Sequence, residues 1–327
     1  MSSYKIFVAG HNGLVGSALV RQLKKNTKIK IIIKEKKELN LIDQPKVMNF
    51  FKKEKIDQVY IAAAKVGGIY ANNTYPAEFI YKNLMIQTNI INSAFLNGVK
   101  KLLFLGSSCV YPKNSSQPMK EQGLLKGVFE ATNEPYAIAK ISGIKMCESY
   151  NRQYGRSHKI DYRCIMPTNL YGPNDSYDLK NSHVLPTLIR KFHEAKLNKK
   201  KFVNLWGTGN PRREFLYVDD LAKACVHIMN LKKSIFNKGL NPMCSHINVG
   251  SSNEIRIKDL ANIIKKIVDF KGDIKWDFSK PDGMKRKLLD SSKILKLGWR
   301  PQVSLKDGIL KTYLDYKKNY EYYKKNI

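Results

Sequence analysis

A chain of 327 residues can bury a large core and forms one large domain or two. It holds no run of about 18 apolar residues, which excludes a helical membrane span. Its net charge of +31 attracts polyanions, but the lysines are spread through Lys34–Lys37, Lys52–Lys55, Lys199–Lys201 and the tail (Lys317, Lys318, Lys324, Lys325), in a chain rich in Ile and Asn. A compositional bias explains that spread better than a binding stripe, so nucleic acid is not an expected partner.

Met1-Ser-Ser-Tyr-Lys leads straight into the apolar strand Lys5–Ala9, with no signal-peptide pattern, and a cytoplasmic location is expected. The glycines of Gly10-His11-Asn12-Gly13-Leu14-Val15-Gly16 follow at once, and Ser17–Lys25 reads as a helix. At such a strand-to-helix turn Gly10 permits the tight turn, Gly13 lets backbone approach a pyrophosphate, and Gly16 lets helix pack on strand. The helix N-terminus then offers free N–H groups to phosphates. Ile29–Ile33 is the second strand, and Lys34-Glu35-Lys36-Lys37 stands at its end. Lys36 suits a ribose 2′-phosphate and therefore NADPH; Glu35 is the alternative, as acceptor for a free 2′-hydroxyl.

Asp57–Ala64 reads as the third strand, Lys65–Asn73 as a glycine-bearing loop, Pro76–Asn97 as a long amphipathic helix and Lys101–Leu105 as the fourth strand. Gly106-Ser107-Ser108-Cys109 closes that strand. Pro135 then opens a helix on which Tyr136 and Lys140, four apart, share a face. A hydroxyl at a strand end and a Tyr/Lys pair on a facing helix form a proton-donating site for a carbonyl. The same spacing recurs at Tyr313/Lys317 and Tyr320/Lys324, without strand or glycine loop, and reads there as solvated helix surface.

Ile160–Met166 is a further strand, left by Pro167-Thr168-Asn169-Leu170-Tyr171-Gly172-Pro173 as a loop. Asn174–Ser182 is polar, reads as mobile and ends at His183. A helix over Leu185–Ala195, a turn-rich loop from Trp206 to Arg213, a return to the first domain at Phe215–Val218 with a helix over Asp219–Leu231, a segment Ile257–Val268, the loop Lys280–Gly283 and a tail helix from Ser304 complete the chain. The expected fold is α/β, a Rossmann-type doubly wound parallel sheet with a smaller α/β substrate-binding domain. The first unit takes 1–173 plus about 214–250, and the second 174–213 and 251–327. The five cysteines (Cys109, Cys147, Cys164, Cys225, Cys244) are scattered and odd in number, as in a reducing cytosol, and propose neither a disulfide frame nor a metal site.

Taken together, Gly10–Gly16, Ser107–Pro112, Tyr136/Lys140, Pro167–Pro173 and Lys280–Gly283 resemble the extended short-chain dehydrogenase/reductases. More narrowly, with Ala62–Gly68, Asn72–Pro76 and Asn133–Lys140, the chain resembles the GDP-4-keto-6-deoxy-mannose 3,5-epimerase-4-reductases, the GDP-L-fucose synthase family, nearly end to end. It departs from that family at Asn12, where Arg is usual, and at Lys36, often Arg, which keeps the charge but loses the planar fork.

The resemblance implies an NADPH-dependent enzyme acting on a GDP-sugar as a homodimer, through the helices near Pro76–Asn97 and Tyr136–Tyr150. Cys109 takes the role of base and His183 of acid in epimerisation, and Ser107, Tyr136 and Lys140 serve the reduction. Gly10 to Gly16, Lys36, Leu105 to Ser108, Lys140, Pro167 to Leu170 and His183 hold the cofactor. Lys191, Trp206, Arg213 and Asp282 hold the GDP-sugar. A C4 reductase of another GDP-4-keto-deoxy sugar such as a heptose is the near alternative, and a non-catalytic dinucleotide sensor or a nucleic-acid binder the distant one. A dehydratase would want a carboxylate where Cys109 stands.

Overall fold

The computed structural model describes residues 4–179, 181–280 and 282–325. Met1–Ser3, Lys180 of the loop before His183, and Pro281 of the Lys280–Gly283 turn lie outside them.

The first half alternates strand and helix: β1 (Tyr4–Ala9), α1 (Leu14–Leu23), β2 (Ile29–Ile32), α2 (Gln44–Glu54), β3 (Gln58–Ile61), the short α3 (Ile69–Thr74), α4 (Pro76–Leu96), β4 (Lys101–Leu105), α5 (Glu134–Tyr154) and β5 (Asp161–Pro167). These strands run β2-β1-β3-β4-β5, every neighbouring pair parallel, and β9 (Ile247–Val249) closes the far edge beside β5. The order reverses between β1 and β3, which opens a crevice at the strands' C-terminal ends.

Side-chain alternation divides two cores across this sheet. Phe7, Val59, Leu102, Phe104, Tyr162 and Cys164 pack with α2, α4 and α5, while Ile6, Val8, Tyr60, Leu103, Leu105 and Ile165 pack with α1 and with Val218–Met229 on the opposite face. Both faces of β1, β3, β4 and β5 are covered, and that is why these strands read as largely apolar runs.

The second half continues with β6 (Asn169–Tyr171), α6 (Val184–Leu197), β7 (Phe202–Trp206), β8 (Arg212–Tyr217), α7 (Val218–Asn230), α8 (Lys233–Phe236), β10 (Glu254–Arg256), α9 (Ile257–Val268), β11 (Asp273–Asp277), β12 (Arg286–Lys287), α10 (Ser292–Lys296), α11 (Leu305–Lys318) and α12 (Tyr320–Lys325). A third core gathers α6, α9, α11 and the inner faces of β7 and β8.

Four sequence readings change. Asn169–Tyr171 is not loop but a strand, parallel to β8. Phe215 and Tyr217 do not rejoin the six-stranded sheet: β8 lies in a separate four-stranded sheet with β6, β10 and β12, and the return to the first unit is made by α7 against α1. Tyr313 is core rather than solvated surface, bonded through its hydroxyl to His193 Nδ1 at 3.2 Å. The described residues of the loop before His183 are anchored, with Asp175 and Tyr177 buried and the Asn181 carbonyl accepting from Gly68 N–H at 2.7 Å. Among the described residues no helix is long and apolar enough to cross a membrane.

Candidate active site

The glycine turn sits at the crevice. Gly10 has φ +83°, and a Cβ there would stand 2.6 Å from the Ala63 nitrogen. A Cβ on Gly16 would reach 2.0 Å from the Gly10 carbonyl oxygen, so α1 can lie this close to β1 only as glycine. Gly13 is different: a Cβ there would meet nothing nearer than 3.6 Å. Its openness is room for a ligand rather than a packing need. Leu14 and Val15 begin α1, whose first turn carries no acidic residue and no side-chain cap, so its N–H groups and dipole are open to an anion. These residues fit a dinucleotide pyrophosphate.

At the end of β2 the Glu35 carboxylate accepts from Asn12 Nδ2 at 2.9 Å to each oxygen and lies 3.3 Å from His11 Nε2. The Asn12 bond, above all, lowers its pKa. Lys36 is exposed and has no ion pair among the described residues.

The floor of the crevice is the end of β4. Ser107 leaves the strand with its N–H on Met166 Sδ at 2.9 Å, and its Oγ accepts from Cys109 N–H at 3.2 Å, turning Ser108–Val110 into a single 3-10 turn. Ser108 is buried there, while Cys109 is half-buried against Tyr136, Phe79 and Ala71. On α5, Tyr136 and Lys140 face this turn. Burial, then Cys109, pushes the Tyr136 phenol well above its usual range, and a hydrogen bond from Ser107 opposes them. Lys140 is 4% exposed and donates to the Leu105 carbonyl at 2.9 Å, and burial brings it down to about 8. The Lys140 ammonium is thus directed at the Leu105 carbonyl. Gly106 N–H is fixed on the Ile165 carbonyl at 2.8 Å, and Thr168 and Asn169, just after Pro167, both bond the Glu214 carbonyl. Leu170, in β6, is half-buried against the second core.

Two basic side chains reach Cys109 from the four-stranded sheet. β12 pairs with β8 so that Lys287 stands opposite Arg213. Lys287 Nζ donates to Cys109 Sγ at 2.9 Å. Burial raises the thiol's pKa, but Lys287, Ser107 and Arg213 together outweigh it and hold the thiol below its ordinary value. His183, the cap residue of α6, is exposed overall, yet enough protein surrounds its ring that burial, then Lys287, lowers its pKa too.

The other predicted residues line one rim. Lys191, on α6, donates to the Asn204 carbonyl of β7 at 3.2 Å. Trp206 ends β7 with 69% of its surface exposed, under Lys280. Asp282 accepts from Thr208 N–H at 2.9 Å and from Thr208 Oγ1 at 2.6 Å, beside Gly207. Arg213 donates to the Met284 carbonyl and lies against Gly283. The arrangement is a crevice with an anion-binding turn at one end, an exposed aromatic and two cations at the other, and a thiol, two hydroxyls and an imidazole between them.

Sequence reasoning missed Lys287, Glu214 and the purpose of the Gly67-Gly68 pair. Lys287 sits in Lys285-Arg286-Lys287, indistinguishable from the many other lysines until β12 buries it. Glu214 is fully buried and takes the N–H groups of Ser252 and Leu289, tying β12 to β8. Gly68 docks the loop that carries His183, and a Cβ there would come within 3.1 Å of the Ser182 carbonyl oxygen; its adjacency to another glycine was the available signal.

Residues 6–250 match the model of the NAD dependent epimerase/dehydratase family. The chain is 55% identical over 313 residues to the GDP-L-fucose synthase of Escherichia coli K12, covering 96% of each chain. It is 37% identical to the GDP-L-colitose synthase of Yersinia pseudotuberculosis, over 94% of this chain and 96% of that one. Among solved structures, a GDP-6-OMe-4-keto-L-xylo-heptose reductase from C. jejuni superimposes with TM-score 0.91 at 39% identity, over 98% of this chain and 99% of that one. An NADP-bound GDP-L-fucose synthetase from Naegleria fowleri does so with TM-score 0.88 at 28% identity, over 98% and 96%. The chain belongs to the NAD dependent epimerase/dehydratase family, that is the extended short-chain dehydrogenase/reductases, among their GDP-L-fucose synthases.

Proposed function

We propose that this chain converts GDP-4-keto-6-deoxy-D-mannose to GDP-L-fucose, by epimerisation at C3 and C5 followed by NADPH-dependent reduction at C4. The observation that carries the reading is the setting of Cys109. A reductase needs only Ser107, Tyr136 and Lys140; here a thiol with a depressed pKa stands on the same strand end. That addition serves proton exchange beside a carbonyl.

The 4-keto group makes the C3 and C5 protons acidic, because the resulting enolate spreads onto the C4 oxygen. Cys109 takes the proton and His183 returns one from the other face. Ser107 donates to the C4 oxygen as charge develops there, and Tyr136 gives it a proton. Lys140 holds the nicotinamide ribose. NADPH, when bound, supplies the hydride for C4. Lys191 and Arg213 suit the diphosphate, Trp206 offers an aromatic wall, and Asp282 accepts from hydroxyls with the lone pairs that Thr208 leaves.

The second reading, a C4 reductase of a GDP-4-keto heptose, is favoured by the likeness to the C. jejuni reductase. The two part in heavy water. With GDP-4-keto-6-deoxy-mannose and NADPH, deuterium at C3 and C5 of a GDP-fucose product supports the epimerase–reductase. Oxidation of NADPH without deuterium supports the plain reductase, and loss of wash-in in Cys109→Ser assigns the base. We also place the chain in the cytoplasm as a homodimer. Tyr81 and Leu96 on α4 and Ile138 on α5 are exposed apolar side chains that such an interface would cover; a monomeric mass in solution would refute it.

A further inference from the structure

Lys287 is 8% exposed. An ammonium has three donors, yet among the described residues the sulfur of Cys109 is its hydrogen-bond partner, at 2.9 Å, and no carboxylate pairs with it. Burying an unpaired charge is costly, and a neutral thiol is a weak acceptor that repays little of that cost. A thiolate repays it, because the contact becomes an ion pair.

The geometry cannot relax cheaply. β12 is held by parallel pairing with β8, by the Gln117 side chain on Leu288 N–H at 2.8 Å, and by Glu214 on Leu289 N–H at 3.1 Å. Cys109 is held by Ser107 from below, and by Asn133, whose amide donates to the Cys109 carbonyl at 2.7 Å. The sulfur and the ammonium come from segments 178 residues apart in the chain.

We propose that Lys287 is the positioning counter-ion of a Cys109 thiolate, keeping the sulfur in its basic form between turnovers. Other groups facing the sulfur are Ser107 on its own turn, Tyr136 from α5 and Arg213 from β8. Arg213 adds positive charge and binds no sulfur; Tyr136 is neutral. In the forward step the thiolate takes the proton from carbon, the S–H bond forms as the C–H bond breaks, and that electron pair moves into the enolate. Lys287 is left beside a thiol, which restores the pressure to deprotonate again.

The inference rests on the reading of Cys109 as base, but its test does not need the sugar. The alkylation rate of Cys109 by iodoacetamide, followed by peptide mapping against pH, reports its thiolate fraction in wild type, Lys287→Gln and Lys287→Arg. The expected result is a midpoint about one unit higher in Lys287→Gln, hence roughly a tenfold slower reaction at neutral pH, with recovery in Lys287→Arg. NADPH binding, measured by fluorescence, should be unchanged and reports the fold. An unshifted midpoint in Lys287→Gln overturns the proposal. Should that variant not fold, thiolate absorbance of wild type minus Cys109→Ser decides: a midpoint at or above the ordinary thiol value of about 8.5 overturns it, and one below supports it. Deuterium wash-in absent from wild type, with the alkylation shift present, would sink the epimerase reading and leave the ion pair standing.

Discussion

Asn12 clasps Glu35, its amide donating to both carboxylate oxygens at 2.9 Å. The clasp keeps Glu35 ionised at the end of β2, beside the exposed lysines Lys36 and Lys37. One negative charge there opposes NADPH and accepts from NADH. Glu35→Gln should lower KM for NADPH several-fold and raise it for NADH, and Lys36→Met should do the reverse. Initial rates with both cofactors check this; an unchanged ratio of the two KM values in both variants would remove the pair from cofactor choice.

Tyr136 is buried, held above its usual range and served by Ser107, so at neutral pH it is a proton donor only. Tyr136→Phe should reduce NADPH oxidation by about 10²–10⁴-fold, the usual worth of a general acid, and leave deuterium wash-in at C3 and C5 in place. Product NMR beside nicotinamide absorbance separates the two. Equal losses in both would mean the phenol serves epimerisation as well.

The sequence made the parallel sheet, the glycine turn and the Ser107/Tyr136/Lys140 set legible because each is local: a period, a spacing, a turn chemistry. It could not expose what depends on pairing between distant segments. β6 is three residues long and exists as a strand because β8 offers it a ladder. Lys287 matters because β12 lands beside Arg213 and delivers it to Cys109, over 178 residues of separation. The burial of Asp175 and Tyr177 was hidden likewise, since the tyrosines covering them come from α11 and α12.

The proton carriers predict a pH profile. A thiolate base makes wash-in rise with pH through the Cys109 pKa, which lies below the ordinary thiol value. A charged imidazole acid makes it fall as pH rises through the His183 pKa, lowered by burial and then by Lys287. His183→Gln should erase the falling limb, lower the rate and keep the rising limb. A falling limb that survives the substitution belongs to another group, and His183 would lose its role as acid.

Asp175 makes the last case, one of stability. It is 8% exposed, its Oδ1 accepts from Ser176 N–H, and its Oδ2 is buried with no hydrogen-bond partner among the described residues, near a Tyr177 hydroxyl in the same condition. Burial pushes its pKa up to about 7. Unfolded, the carboxyl titrates near 3.9, so between about pH 4 and 7 the native state holds a proton that the unfolded state has lost. Stability from this residue is therefore full below about pH 4 and declines as pH rises, until both states are ionised above about 7. Replacing it by asparagine keeps the shape and removes the charge. Asp175→Asn should raise stability at pH 8 by about 2–4 kcal/mol and flatten the loss between pH 4 and 7. Urea unfolding at pH 5 and pH 8 checks it: a difference between variant and wild type that does not grow with pH would mean the carboxylate finds a compensating partner when it ionises.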